Sequence, residues 1–157
     1  MSVPFVIYLA FFFQYPVILQ SDIPFIIFNH GSYFIIPGFF FFVYSLVYQL
    51  THRKQLIQNG PYKYLRHPQY LAFIIMTFGM TVIAFQTSPI TPINLFYISN
   101  YNIVFYIWIA EVLAYVVLGK IEDVALKTKY GEEYLEYATK VSFMFPSIKL
   151  KKKVVRN

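Results

Sequence analysis

Four stretches of this chain carry too few polar groups to lie in water, and each is about the length that crosses a bilayer: residues 3–19, 32–50, 69–85 and 102–119. A helix spans the hydrocarbon core in about 20 apolar residues. Only helices and closed barrels satisfy their own backbone groups there. Hydrophobic residues make up 58% of the chain and charged residues 13%, roughly half the globular share of charge. A single small soluble fold lacks the interior to hide so many Phe, Ile and Tyr side chains. The expected class is therefore all-α, a polytopic membrane helix bundle.

The first stretch stands where a secretory leader would. It has no basic start and no small-residue cleavage site, so it reads as a membrane helix kinked near Pro16. Residues 20–31 hold Asp22, Pro24, Asn29 and His30 and read as an outer loop, with residues 23–28 dipping into the interface. The second stretch bends at Pro37-Gly38, which membrane helices tolerate when neighbours cover the freed backbone. Residues 86–92 carry two prolines and no charge and read as a turn.

The basic residues orient the bundle. All thirteen lie in two places: Arg53, Lys54, Lys63 and Arg66 in the central loop, and nine from Lys120 onward. The positive-inside rule puts both segments in the cytoplasm. Residues 51–67 and 120–157 are then cytoplasmic, joined by two spans, and four spans in all put the N-terminus there too. A kinked or re-entrant piece near Pro24 or Pro37 would make five. The net charge of +6 sits at membrane borders, which points to lipid headgroups and away from nucleic acid. The terminal run around Lys151, Lys152 and Lys153 reads as a headgroup anchor. No cysteine is present, which excludes disulfides, thiolate metal sites and a Cys nucleophile. His30, His52 and His67 show no ligand spacing, so no metal is expected.

Two polar clusters stand out. Asn59-Gly60-Pro61-Tyr62-Lys63-Tyr64-Leu65-Arg66-His67-Pro68-Gln69-Tyr70 begins with a Gly-Pro helix breaker. Pro68 suits the first turn of a new helix, which makes His67 its N-cap. A helix N-terminus offers free N–H donors to an anion, beside His67 and Arg66. A positively charged membrane-side loop with a Pro-started helix explains the same residues. The second cluster follows the last span. Glu122 lies where that span leaves the membrane, able to face the central loop or simply to pair with Arg66 or Lys120. Gly131 separates two amphipathic helices, and Glu132, Glu133 and Glu136 form a solvated face.

Taken together, these blocks resemble the isoprenylcysteine carboxyl methyltransferase family, with membrane phospholipid methyltransferases as wider relatives. The resemblance rests on Gly60-Pro61-Tyr62, Tyr64-Leu65-Arg66-His67-Pro68 and Tyr70, then Glu122-Asp123, then Tyr130-Gly131-Glu132-Glu133-Tyr134 and Tyr137. It covers about residues 54–146; the first two spans match only in character. The resemblance implies a membrane enzyme that uses S-adenosylmethionine to methylate a lipophilic acceptor. It implies cofactor contacts at Lys54, Gln55, Leu56, Ile57, Tyr62, His67, Pro68, Gln69, Tyr70 and Glu122. The chain then divides into N-terminal spans (1–50), a cofactor-binding core (51–146) and a basic tail (147–157). Two departures matter. The family's acidic pair is usually Glu-Glu, and here it is Glu122-Asp123. A substrate-linked arginine one helical turn earlier is here Leu118.

Methyl transfer from a sulfonium needs alignment and exclusion of water more than a strong acid or base, so no catalytic residue is assigned. His67 and the helix N-terminus suit the cofactor's carboxylate, and Glu122 suits its ammonium or ribose. Tyrosines suit the adenine and the sulfonium. The acceptor could be a prenylcysteine carboxylate, a phospholipid amine or a small hydrophobic molecule. An NADPH-dependent membrane reductase and a non-catalytic membrane scaffold are the competing classes. Glu111 is the one acid inside an apolar span, and such residues face a bundle interior or a wet cavity. Glu111, Tyr115, Leu118 and Glu122 are spaced four, three and four, on one helical face. That stripe is expected to form the acceptor groove.

Overall fold

A computed structural model describes residues 3–12, 29–52, 55–87 and 100–146. Five α-helices appear among them: α1 (Val3–Phe12), α2 (Ser32–Thr51), α3 (Pro68–Thr87), α4 (Asn100–Tyr130) and α5 (Glu132–Lys140). No strand occurs among the described residues, and the class is all-α as expected. Three helices are long and apolar enough to cross a membrane: Ser32–Thr51, Pro68–Phe85 and Ile103–Tyr130. The described part of the first expected span is α1, 10 residues. Its continuation past Phe12, the outer loop up to residue 28, Lys54 and the terminal lysines lie outside the described residues. So does most of the expected turn at 86–92, though Gln86 and Thr87 belong to α3.

Helix α3 is the axis. Within its span 67% of residues are buried, against 11% in α2 and 22% in α4. The exposed side chains of α2, among them Phe39, Phe40, Tyr44 and Val47, form an apolar face suited to lipid. Against α3 the α2 backbone comes close because the contacts are small. A Cβ added at Gly79 would stand 2.4 Å from the Gly31 carbonyl oxygen, and one at Gly38 would stand 2.7 Å from Met76 Cγ. Small residues let membrane helices approach and gain dispersion contact where no hydrophobic drive exists.

Polar side chains tie the bundle inside the apolar layer. The Tyr8 hydroxyl donates to the Thr77 carbonyl at 3.0 Å and shares a hydrogen with Thr81 Oγ1 at 2.7 Å. Trp108 Nε1 donates to the Ile74 carbonyl at 3.3 Å. These bonds fix α1 and α4 to α3, each group having no water to turn to. The pairings Phe5–Phe73 and Tyr8–Thr81 make α1 parallel to α3. Trp108 over Ile74 and Tyr115 over Tyr70 make α4 antiparallel to it. The starts of α1 and α3 therefore share one end of the bundle with the far half of α4.

Helix α4 runs 31 residues, about 46 Å at 1.5 Å per residue, longer than the roughly 30 Å hydrocarbon core. Nothing breaks it at Gly119, where the sequence turns charged. It stops at Gly131, whose φ of +57° a residue with a Cβ adopts only with strain. Glu122 thus sits inside a helix, not at a C-terminal dipole end. From Gly131 the chain turns into α5, as the sequence predicts.

Candidate active site

At the polar end, the loop before α3 is folded onto the segment after α5. A 3₁₀ turn over Gly60–Lys63 buries Tyr62, whose carbonyl accepts the Tyr137 hydroxyl at 2.7 Å. Leu65 pairs with Ser142 in one parallel bridge. The Arg66 N–H donates to the Ser142 carbonyl at 2.9 Å and the His67 N–H to that of Phe143 at 3.2 Å. The His67 carbonyl then accepts the Leu71 N–H at 3.3 Å, the first bond of α3. His67 holds the N-cap position through its backbone, and its side chain is free to turn toward α4.

That side chain meets two carboxylates. Its Nε2 bonds to Asp123 Oδ1 at 2.8 Å, and its Nδ1 lies 3.4 Å from Glu122 Oε2. Asp123 also accepts from Arg66 Nη1 and from the Tyr134 hydroxyl. The ring stacks on Tyr70, with centroids 5.5 Å apart, and lies over Gly119, where a Cβ would meet His67 Cδ2 at 3.2 Å. Burial by itself lowers the His67 pKa. The hydrogen bonds to Asp123 and Glu122, and the negative charge of both, outweigh it and hold the pKa above the usual histidine value. Both ring nitrogens of His67 are thus turned to carboxylates of α4.

The pairing also resolves the alternatives for Glu122. Arg66 pairs with Asp123, not Glu122, and Glu122 takes the histidine. Burial, and then the charge of Glu122, raise the Tyr62 hydroxyl above the usual phenol range. Burial and the Asp123 hydrogen bond push Tyr134 up to about 12. All these tyrosines are neutral donors at neutral pH.

Glu122 lines a cavity of about 380 Å³ shared with Gln49, Leu50, Gln55, Leu56, Ile57, Tyr62, Arg66, Leu126, Tyr130, Tyr134 and Tyr137. A pocket of about 10 Å³, room for little more than one water, adjoins it at the start of α3. Its walls are Gln49, Tyr62, Arg66, His67, Pro68, Gln69, Tyr70 and Glu122. Every described residue that the family resemblance implies at the cofactor lies on one of these two walls. Four residues, Gln49, Tyr62, Arg66 and Glu122, lie on both.

Chemically the larger cavity offers opposite charges side by side. Arg66 gives one guanidinium nitrogen to Asp123, while its Nε is buried with no hydrogen-bond partner among the described residues. Glu122 supplies a carboxylate on the same wall. That pair complements a zwitterion such as an amino-acid group. Four tyrosines and four aliphatic side chains complement a planar, weakly polar group and a sulfonium cation. The residues present therefore fit S-adenosylmethionine. No group of three His, Cys, Asp or Glu side chains that could hold a metal occurs among the described residues.

Gln49 escaped the sequence reading. It sits in the last turn of α2 and accepts from Gln69 Nε2 at 2.8 Å; a polar side chain ending an apolar span was its only signal. Leu50 and Leu126 gave none.

The predicted acceptor stripe divides. Glu111 and Leu118 line a separate cavity between α1 and α4 that shares no residue with the one around Glu122. Tyr115 lines neither. It is fully buried, stacked on Tyr70 and Phe73 with centroids 5.1 and 5.7 Å away. Helix geometry explains the split. At about 100° per residue, Tyr115 is turned about 40° one way from Glu111 and Ala114 about 60° the other way. The first direction faces α3 and the second faces α1.

Residues 38–111 match the sequence model of the isoprenylcysteine carboxyl methyltransferase family. The matched stretch holds the central loop, α3 and the start of α4, and ends before Glu122 and the tyrosines of α5. No curated protein and no solved structure matches the chain.

Proposed function

We propose that this chain, whose residues 38–111 match the sequence model of the isoprenylcysteine carboxyl methyltransferase family, is an integral membrane methyltransferase. It transfers the methyl group of S-adenosylmethionine to a lipophilic acceptor. The observation that carries this reading is the cavity at the polar end, where Glu122 and Arg66 share a wall with Tyr62, Tyr130, Tyr134 and Tyr137.

When bound, the cofactor supplies an electrophilic methyl on a positively charged sulfur. The protein's part is to hold and align. Arg66 would hold the amino-acid carboxylate and Glu122 the ammonium. His67 holds Glu122 in place from behind, as a positioning residue. Gln55, Leu56 and Ile57 form the outer wall with Tyr62, and the tyrosines exclude water from the sulfonium. In-line attack by a neutral amine would form the N–C bond as the S–C bond breaks, and the ammonium product would release its proton to solvent, so the protein contributes alignment and dryness. In this reading the polar end, with residues 55–67 and 120–146, faces the cytoplasm, where the cofactor is. The acceptor enters from the bilayer. Leu118, standing where the family has an arginine, disfavours a prenylcysteine carboxylate and favours an uncharged or basic acceptor.

Calorimetric titration of the detergent-purified chain tests the reading. S-adenosylhomocysteine should bind one site per chain, and NADPH should not compete. Protection by NADPH instead would make the chain a reductase, and binding of neither would make it a scaffold.

A further inference from the structure

The cavity between α1 and α4 has about 720 Å³ of space, within the roughly 300–1,000 Å³ of small-molecule sites. Its walls are Val3, Pro4 and Ile7 from one helix, and Ile107, Ala110, Ala114, Val117 and Leu118 from the other. Only Tyr8 and Glu111 interrupt them. The Tyr8 hydroxyl is engaged with Thr77 and Thr81. Glu111 has the Thr77 hydroxyl beside it. It is 4% exposed, and both carboxyl oxygens lack a hydrogen-bond partner among the described residues. The Thr77 hydroxyl beside it turns its hydrogen to the Phe73 carbonyl at 2.9 Å.

A carboxyl held in an apolar groove without a partner calls for an explanation. We propose that this groove binds a lipophilic amine, with the Glu111 carboxyl holding the basic nitrogen and the groove walls holding the hydrocarbon chain. A plain hydrocarbon leaves both oxygens unpartnered. An alcohol brings one hydrogen for two oxygens. A fatty acid or phosphate meets an acid where no cation lines the wall. An amine brings enough donors for both oxygens. The acid–amine pair carries no net charge whichever partner holds the proton, so nothing charged has to be moved alone into the apolar layer. From Glu111 to Leu118 the groove offers about 10 Å of wall along α4 for the chain. The site is separate from the proposed cofactor cavity, and its occupancy does not depend on methyl transfer.

The probe is a diazirine-bearing dodecylamine added to the full chain in phosphatidylcholine nanodiscs. Saturable labelling of residues 3–8 and 107–118 is expected. Unlabelled dodecylamine should displace it, and dodecanoic acid and dodecanol should not. Glu111→Gln should weaken labelling by about tenfold or more, the factor for a charge-assisted hydrogen bond. Ala114→Phe, which fills the groove and leaves the acid, should abolish it. Affinity for S-adenosylhomocysteine, measured on the same samples, should be unchanged in both variants; its loss from wild type would sink the methyltransferase reading and leave the groove standing. Equal displacement by the acid or the alcohol, or undiminished labelling of Glu111→Gln, overturns the proposal and leaves an unselective lipid-facing surface. No labelling of wild type overturns it too, and makes the groove a face closed by a second copy or by the rest of the chain.

Discussion

The His67 imidazole and the Asp123 carboxylate, 56 positions apart in the chain, meet through Nε2 and Oδ1 at 2.8 Å. This bond joins the two polar clusters, because His67 caps α3 and Asp123 sits about three-quarters of the way along α4. The shift it produces has a sign. Asp123 and Glu122 raise the His67 pKa above its value in the unfolded chain. The stability that His67 contributes is therefore fully present below about pH 6.5. It is lost as pH rises through the raised, folded value. Thermal melting of the wild type between pH 5.5 and 9 should fall toward the alkaline side. In His67→Gln that slope should flatten. An unchanged slope would assign the pH dependence to other groups.

Asp123 takes three donors at once, from Arg66, His67 and Tyr134. Its side chain is 19% exposed, so solvent screens part of the gain. Asp123→Asn keeps the shape and removes the charge, and should lower stability by about 1–3 kcal/mol, the range for hydrogen bonds to a charged group. Tyr134→Phe removes one donor of the same hub. The double variant should lose less than the two single losses together, by about 0.5 kcal/mol or more. Strict additivity in denaturant titrations would mean that Tyr134 stabilises α5 on its own.

Much of this cluster was legible as sequence. Pro68 opening α3, Gly131 ending α4 and the exposed acids Glu132, Glu133 and Glu136 all follow from local rules of helix starts, stops and amphipathic faces. The gathering of Glu122 with Tyr62 was legible only through the family's motif, since nothing local links residues 60 apart. Three features were not legible. The division of the stripe at Glu111 and Tyr115 depends on which helix packs on which side of α4, and spacing alone gives a face without naming its neighbour. The backbone pairing of Leu65 with Ser142 has no periodic signal, being a single bridge. The choice of Asp123 over Glu122 by Arg66 turns on which of two adjacent positions, about 100° apart around α4, faces the loop.

The shared polar end has a consequence for topology. The chain has no cysteine, so single-cysteine variants report cleanly. Gln58 lies before α3 and is bonded to Glu133 at 3.1 Å, and Lys127 is exposed late in α4. In oriented membranes, Gln58→Cys and Lys127→Cys should both be labelled by an impermeant maleimide from the cytoplasmic face. Labelling from opposite faces would remove the common site.

Arg66 has two jobs that one substitution can part. Its Nη1 pairs with Asp123, and its Nε is buried without a hydrogen-bond partner among the described residues. Lysine keeps a cation for Asp123 and has no second nitrogen to offer. Arg66→Lys should therefore melt close to wild type. Its affinity for S-adenosylhomocysteine should fall by about 1.5–3 kcal/mol, the range for a hydrogen bond to a charged group. 5′-Methylthioadenosine, which shares the nucleoside and lacks the carboxylate, provides the control. If Arg66 holds the amino-acid end, its affinity should be the same in both proteins. An equal fall for both ligands in calorimetry would show that the variant deforms the cavity as a whole. The carboxylate would then have to find its donors elsewhere, among the backbone N–H groups that open α3 beside Gln69 and Tyr70.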